Sequence, residues 1–292
     1  MKKENKARLM ILASMTIFGT LAPFVRKIGV SSGELALYRA ILAAAVIGLF
    51  LAVTGQKIPF GKLRRELLLL LISGMAMAFN WILLFEAYKY TTVSIATLSY
   101  YFAPVIVTVV CPILFRERLT GKQILCFVMS TAGIVLITGV GDLGGGSDLI
   151  GILFGLSAAV LYASVVLLNK FIKNVEGIHR TFLQFLAAIL VLIPYVAGNG
   201  GVTLEVLDGT GWICLLIVGL VHTGVAYCLY FSALKEVSGQ QASILSYVDP
   251  LVAVLVSVIW LQEKMTVPQI MGGVLILGFT LWSELPGRKK KV

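Results

Sequence analysis

The chain has 292 residues, of which 59% are hydrophobic and 13% charged, and its mean hydropathy is +0.96. A soluble globular domain carries about 25% charged residues, so this balance excludes that class. The formal net charge of +10 would suggest nucleic acid, until the charges are located along the chain.

Apolar runs of about twenty residues recur along the whole length, each long enough to cross a ~30 Å hydrocarbon core as a helix. In chain order they cover about 8–28, 35–54, 66–88, 92–115, 121–139, 150–172, 179–198, 211–234, 239–261 and 267–284. Their hydrophobicity is continuous rather than alternating, which argues against a β-barrel. The basic start MKKENKARLM followed by an apolar run has the look of a signal peptide. Nine further runs make it a first transmembrane helix instead. The expected fold class is an all-α integral membrane protein with ten transmembrane helices.

With the N-terminus placed in the cytoplasm, nineteen Lys and Arg residues fall on the cytoplasmic side. Only Arg26, Lys27, Lys89 and Lys264 fall on the other. That asymmetry is a positive-inside signal with both termini cytoplasmic, in the cell membrane. The basic balance is therefore topology and attraction to anionic lipid, and no nucleic-acid partner is expected. Cys111, Cys126, Cys214 and Cys228 all lie in apolar runs without C-x-x-C spacing, so they read as buried hydrophobes rather than metal ligands.

The chain also repeats itself. Residues 85–124 align without gaps on residues 231–270 at a constant offset, with Lys89/Lys235, Tyr101/Tyr247, Pro104/Pro250, Glu117/Glu263, Thr120/Thr266 and Gln123/Gln269 among the identical pairs. Each unit holds five runs, and an odd number sends the second copy into the membrane from the opposite side. Two such inverted five-helix halves, 8–139 and 150–284, joined by GVGDLGGGSD (139–148), form the architecture of many secondary transporters.

These residues carry a resemblance. The pattern A-x-K/R-Y, then A-x-L-x-Y-x-x-P-V, then E-R-L-T-x-x-Q, returning in the second half with a departure at Gln262-Glu263-Lys264-Met265-Thr266, is similar to the EamA family of the drug/metabolite transporter superfamily. The resemblance covers essentially the full chain. It implies ten helices around a central cavity, alternating access, and transport, often export, of small metabolites or amino-acid-like compounds.

Most repeated positions have structural explanations. Thr120-x-x-Gln123 and Thr266-x-x-Gln269 read as capping boxes opening the fifth and tenth spans. Glu117 and Glu263 sit at span ends, where solvation is cheap. Pro104 and Pro250 fall near mid-span and predict kinks that free the carbonyls of Tyr100 and Ser246.

The positions that differ between the halves point to chemistry. Asp249 stands opposite Ala103, Glu86 opposite Ser232, Asn80 opposite Ala226 and His222 opposite Ala76. An ionisable side chain at a helix centre costs about 2.5–3.5 kcal/mol on insertion scales, so each such residue is a functional candidate. Asp249 lies at mid-span and Arg39 is the intramembrane cation; the structural alternatives to a functional Asp249 are a buried pair with Arg39 or local bonding to Ser246 one turn back. Trp81, Tyr100, Tyr101, Tyr162, Tyr227, Tyr230 and Tyr247 suit a cavity wall that stacks on a flat or cationic solute. Tyr88 and Tyr90, at a span end, suit the lipid interface.

The expected activity is secondary transport, and probable export, of a small organic metabolite or amino-acid-like solute. The cavity lies between spans 3, 4, 8 and 9, with contributions from spans 1, 2, 6 and 7. Multidrug or organic-cation efflux is the alternative, and a nucleotide-sugar exchanger would need more cations than Arg39. No G-x-S-x-G or H-E-x-x-H pattern supports an enzyme, and neither a cofactor nor a metal is expected. The expected partners are the solute, a coupling proton and membrane lipid, with the chain a monomer or homodimer.

Overall fold

A computed structural model describes residues 3–58, 66–114, 120–138, 146–175 and 177–285. Among them every regular element is helical and no strand occurs. The helical runs in chain order are α1 (Lys3–Val25), α2 (Ser32–Val53), α3 (Leu67–Tyr90), α4 (Val93–Leu114) and α5 (Gly121–Thr138). There follow α6 (Gly146–Asn169), α7 (Gly177–Gly198), α8 (Gly209–Ala233), α9 (239–260) and α10 (Val267–Glu284). Seven of them, all but α5, α9 and α10, are long and apolar enough to cross a membrane. The polar start of α9 (Gly239, Gln240, Gln241) leaves only its Ile244–Trp260 part apolar, and α5 and α10 are short. Glu117 and most of the segment joining the two halves lie outside the described residues.

Side-chain caps start several of these helices. Thr266 and Gln269 form a reciprocal capping box at α10, and Ser238 with Gln241 forms another at α9. At α5 the Thr120 N–H donates to Gln123 Oε1 (2.8 Å) and the Gln123 N–H to Thr120 Oγ1 (3.3 Å), as the sequence predicts. Thr92 accepts from the Ile95 N–H and opens α4.

The two mid-span prolines break their helices at matching points. Helical geometry stops at Tyr100 and resumes at Ala103 in α4, and it stops at Ser246 and resumes at Val248 in α9. Pro104 and Pro250 cannot supply the N–H of the next turn, so the chain bends beside Tyr101 and Tyr247. The bend aims both tyrosines at the molecule's interior.

Contacts fix the directions of these helices. Val93, at the start of α4, donates its N–H to Glu263, just past the end of α9. Gln241, at the start of α9, donates to Glu4 at the start of α1. α4 and α9 therefore run in opposite directions between an Arg26–Glu263 face and a Glu4–Gln241 face.

Packing relies on close approach, since lipid tails reward apolar burial far less than water does. α5 and α10 lie against each other, and a Cβ on Gly133 would stand 2.7 Å from the Gly272 carbonyl oxygen. The reciprocal Cβ on Gly272 would stand 2.5 Å from the Gly133 oxygen. Large apolar side chains such as Leu49, Leu68, Leu190 and Val274 stay exposed, as lipid-facing groups do.

Candidate functional site

A cavity of about 490 Å³ lies among α1, α2, α3, α4, α6, α8 and α9. Arg39, Asn80, Trp81, Tyr100, Tyr101, Tyr227, Tyr247, Asp249 and Pro104 all line it, together with Tyr162 and Tyr230. The sequence places these residues at separate points of six helices, and the fold brings them together. No α7 residue lines the cavity, which departs from the expectation for span 7. Instead, the ring of Phe185 on α7 supports Trp81 and Tyr227 edge-on from behind, at centroid distances of 5.2 and 5.4 Å.

Arg39 is 4% exposed and is held by α8. Its Nε donates to Thr223 Oγ1 at 2.7 Å, and the Thr223 hydroxyl donates to the Val218 carbonyl five residues back. That five-residue reach exists because Ile217–Val225 is a π-helical stretch, a local widening that recurs at functional sites. Gly219 and Gly224 let this stretch approach α2: a Cβ on Gly219 would stand 2.4 Å from Leu42, and one on Gly224 would stand 2.6 Å from Val46. The guanidinium carbon then lies 4.7 Å from the Trp81 ring centroid and 5.6 Å from that of Phe85. Cation–π attraction of this kind, out of water, is worth about 2 kcal/mol.

Asp249 takes its partner from the other copy of the repeat. The Tyr101 hydroxyl donates to Asp249 Oδ2, while the Ser246 hydroxyl goes to the Ala242 carbonyl instead. Arg39 and Asp249 both face the cavity and form no ion pair with each other among the described residues. The site therefore presents a cation and a carboxylate separately, in a wall that also carries Trp81 and several tyrosines. Asn80 spends its amide on the Ala158 carbonyl (2.7 Å), fastening α3 to α6 at the cavity wall.

Two candidates do not join this group. His222 is 3% exposed, with Nε2 3.1 Å from Thr20 Oγ1 and Nδ1 3.3 Å from the Ile217 oxygen, and its ring lies against Phe24. It ties α8 to α1 and is absent from the lining, because π-helical geometry turns Thr223 rather than His222 toward Arg39. Glu86 accepts from Lys89 Nζ at 2.9 Å near the end of α3 and also lies off the cavity. Pro250 is buried but bends α9 without lining the space.

Sequence reasoning missed two features. Tyr88, expected at the lipid interface, is 7% exposed and lines the cavity, because it sits on the face of α3 shared with Trp81 and Leu84. Tyr90, two residues on, is 41% exposed and stacks on Phe154. Glu263 is not a solvated span-end carboxylate. It pairs with Arg26 and accepts from Val93 N–H and Ser257 Oγ, while Arg26 also donates to the carbonyls of Tyr88 and Thr91. Thr91 in turn donates to Asp148 at the start of α6. This network links α1, α3, α6 and the end of α9 at the Arg26 face of the molecule. In the opposite direction the cavity lining continues to Val166 and Tyr230, near the ends of α6 and α8.

Apolar helices of membrane-crossing length around a buried, charged, aromatic cavity define a multi-pass helical membrane protein. The profile of the EamA-like transporter family matches residues 5–139 and again 149–283, and the chain belongs to that family. It is similar to a Bacillus subtilis protein named uncharacterized transporter YxxF, with 30% identity over 94% of this chain and 88% of the relative. An Archaeoglobus fulgidus protein, also named an uncharacterized transporter, is 30% identical over 94% of this chain and 95% of its own. A crystal structure of another protein, 18% identical, matches with a TM-score of 0.66 over 94% of this chain and 95% of that one, a likeness of fold. The chain is thus a membrane transporter built from two EamA repeats.

Proposed function

We propose that the protein is a secondary transporter that carries a small organic solute through the central cavity by alternating access. The observation that carries this reading is the separation of Arg39 from Asp249 within one cavity. Two opposite charges left unpaired with each other in a low-dielectric site each call for an external partner. A solute bearing a carboxylate and a cationic nitrogen supplies both, and Trp81, Tyr100 and Tyr227 cover the body between them. An amino-acid-like compound has this form.

In this reading all ten helical runs cross the cell membrane as two inverted halves, 8–139 and 150–284, with both termini cytoplasmic. The distribution of Lys and Arg supports that orientation and makes the Arg26 face the outer one. The cavity then loads from the cytoplasm while the Arg26 network seals the outside, which suits export. Asp249 binds the cationic end of the solute and, between cycles, a coupling proton from water. Organic-cation efflux is the second reading, favoured by Asp249 amid tyrosines; it leaves Arg39 without a ligand.

Counterflow in proteoliposomes across a panel of amino acids, with matched amines and carboxylic acids, tests the proposal. Exchange of a zwitterion that is lost in both Asp249→Asn and Arg39→Gln is the expected result. Exchange unaffected by either substitution removes the site assignment.

A further inference from the structure

A second cavity, of about 390 Å³, lies beside the first at the Arg26 face. Tyr88 lines both spaces, and Phe85, which carries Arg39 against its ring, lines the second. Two aromatic rings therefore separate this outer space from the central one.

Its polar groups have one character. Arg26 and Lys89 supply two cations to the wall. Ser32, the first residue of the 22-residue helix α2, is 2% exposed, lines the space and has an Oγ with no hydrogen-bond partner. A buried hydroxyl without a partner costs about 1–3 kcal/mol, which a ligand at that point recovers. The amino end of a helix adds a fixed positive potential there.

The nearby carboxylates are already engaged. Glu34 accepts from Thr203 N–H, Thr203 Oγ1 and Tyr38, Glu86 accepts from Lys89, and Glu263 holds Arg26. Arg26 gives three of its five N–H donors to Glu263 and to the Tyr88 and Thr91 carbonyls, which hold its guanidinium in place as a fixed charge. Lys89 Nζ carries three donors, and Glu86 takes one. The remaining wall, Ile28 among it, is apolar.

We propose that this second cavity is an oxyanion-binding vestibule. It takes a carboxylate or phosphate carried on an apolar body, with Ser32 Oγ and Lys89 Nζ donating to it and Arg26 as the fixed counter-charge. The site goes beyond the central one and does not depend on the solute assigned there. Its occupant is either a solute carboxylate leaving the central cavity or a lipid headgroup phosphate, since both present the same group.

The probe is para-fluorobenzoate, followed by fluorine NMR line broadening on the full chain in phosphatidylcholine nanodiscs. Arg39→Gln removes the cation of the central cavity, and broadening is expected to persist in that variant. Adding Ser32→Ala and Lys89→Gln is expected to weaken it about tenfold, the loss of a hydrogen bond to a charged group. In the wild-type background the same pair is expected to remove one class of binding site, which keeps the test valid if Arg39→Gln folds poorly. Weakening by phosphatidylglycerol in the discs, absent in Ser32→Ala/Lys89→Gln, identifies the headgroup as occupant; insensitivity to that lipid identifies the solute carboxylate. Broadening unchanged by Ser32→Ala/Lys89→Gln, in the Arg39→Gln or the wild-type background, overturns the proposal.

Discussion

The hydroxyl of Tyr101 in the first repeat donates to the carboxylate of Asp249 in the second. The repeat offset places Tyr247 and Ala103 at the mirrored positions, so the first copy carries a methyl group where the second carries the carboxylate. The two halves share the proline, the bend and the tyrosine, and among their differences here is Asp249 in the second against Ala103 in the first. Asp249 is where the cavity acquires its negative charge.

Asp249→Asn keeps the shape of the site and removes the charge. Solute exchange is expected to fall at least tenfold, since truncating one member of a buried charged contact costs about 2–5 kcal/mol. Tyr101→Phe, which removes the donor but leaves the carboxylate, is expected to give a smaller loss. Initial rates in proteoliposomes, normalised to reconstituted protein, check the order.

Thr223→Val is nearly isosteric and leaves Arg39 Nε without its acceptor. The expected cost is about 1–3 kcal/mol of stability, read as a lower midpoint of thermal unfolding in detergent. Thr223→Ser retains the hydroxyl and is expected to unfold near wild type. Equal midpoints for Val and wild type would show that Thr223 does not anchor the guanidinium.

Gly219→Val drives a side chain into Leu42 and pushes α8 off α2. Overpacking of this kind costs about 1–3 kcal/mol, and here it also moves Arg39, so both the thermal midpoint and transport are expected to drop. Gly278→Ala, where a Cβ meets nothing within 4 Å, is the matched control and should change neither.

Much of this was legible before any coordinates. The continuous apolar runs and the repeat identify the helices and their pairing, and Pro104 and Pro250 mark the bends because proline's missing N–H acts locally. Arg39, Asp249 and the tyrosines stand out because charge inside an apolar run is costly wherever it sits. What stayed hidden depends on geometry between distant segments. Tyr88 and Tyr90 differ in sequence by two positions and in structure by the face of α3 they occupy. His222 and Thr223 exchange roles because of a π-helical turn that residue types do not announce. Glu263 looks solvated until α1 brings Arg26 to it.

That last contact predicts a conformational effect. Glu263 is paired with Arg26 and also binds Val93 N–H, so Glu263→Gln loosens three elements at once. With the four cysteines replaced by serine, Ala22→Cys reports on the cavity wall. Glu263→Gln is expected to raise its labelling by an impermeant thiol reagent applied at the Arg26 face several-fold. An unchanged rate would mean that the network does not hold that face shut.

The central claim is that Arg39 and Asp249 together hold one solute carrying both charges. Thermal shift of the purified protein tests it directly, with the twenty amino acids and, for any that stabilises, the matched amine and carboxylic acid. The account predicts that a zwitterion raises the unfolding midpoint more than either analogue. Arg39→Gln should erase its advantage over the amine, and Asp249→Asn its advantage over the acid. Stabilisation by an amine alone, unaffected by Arg39→Gln, or by none of the zwitterions, would contradict the account.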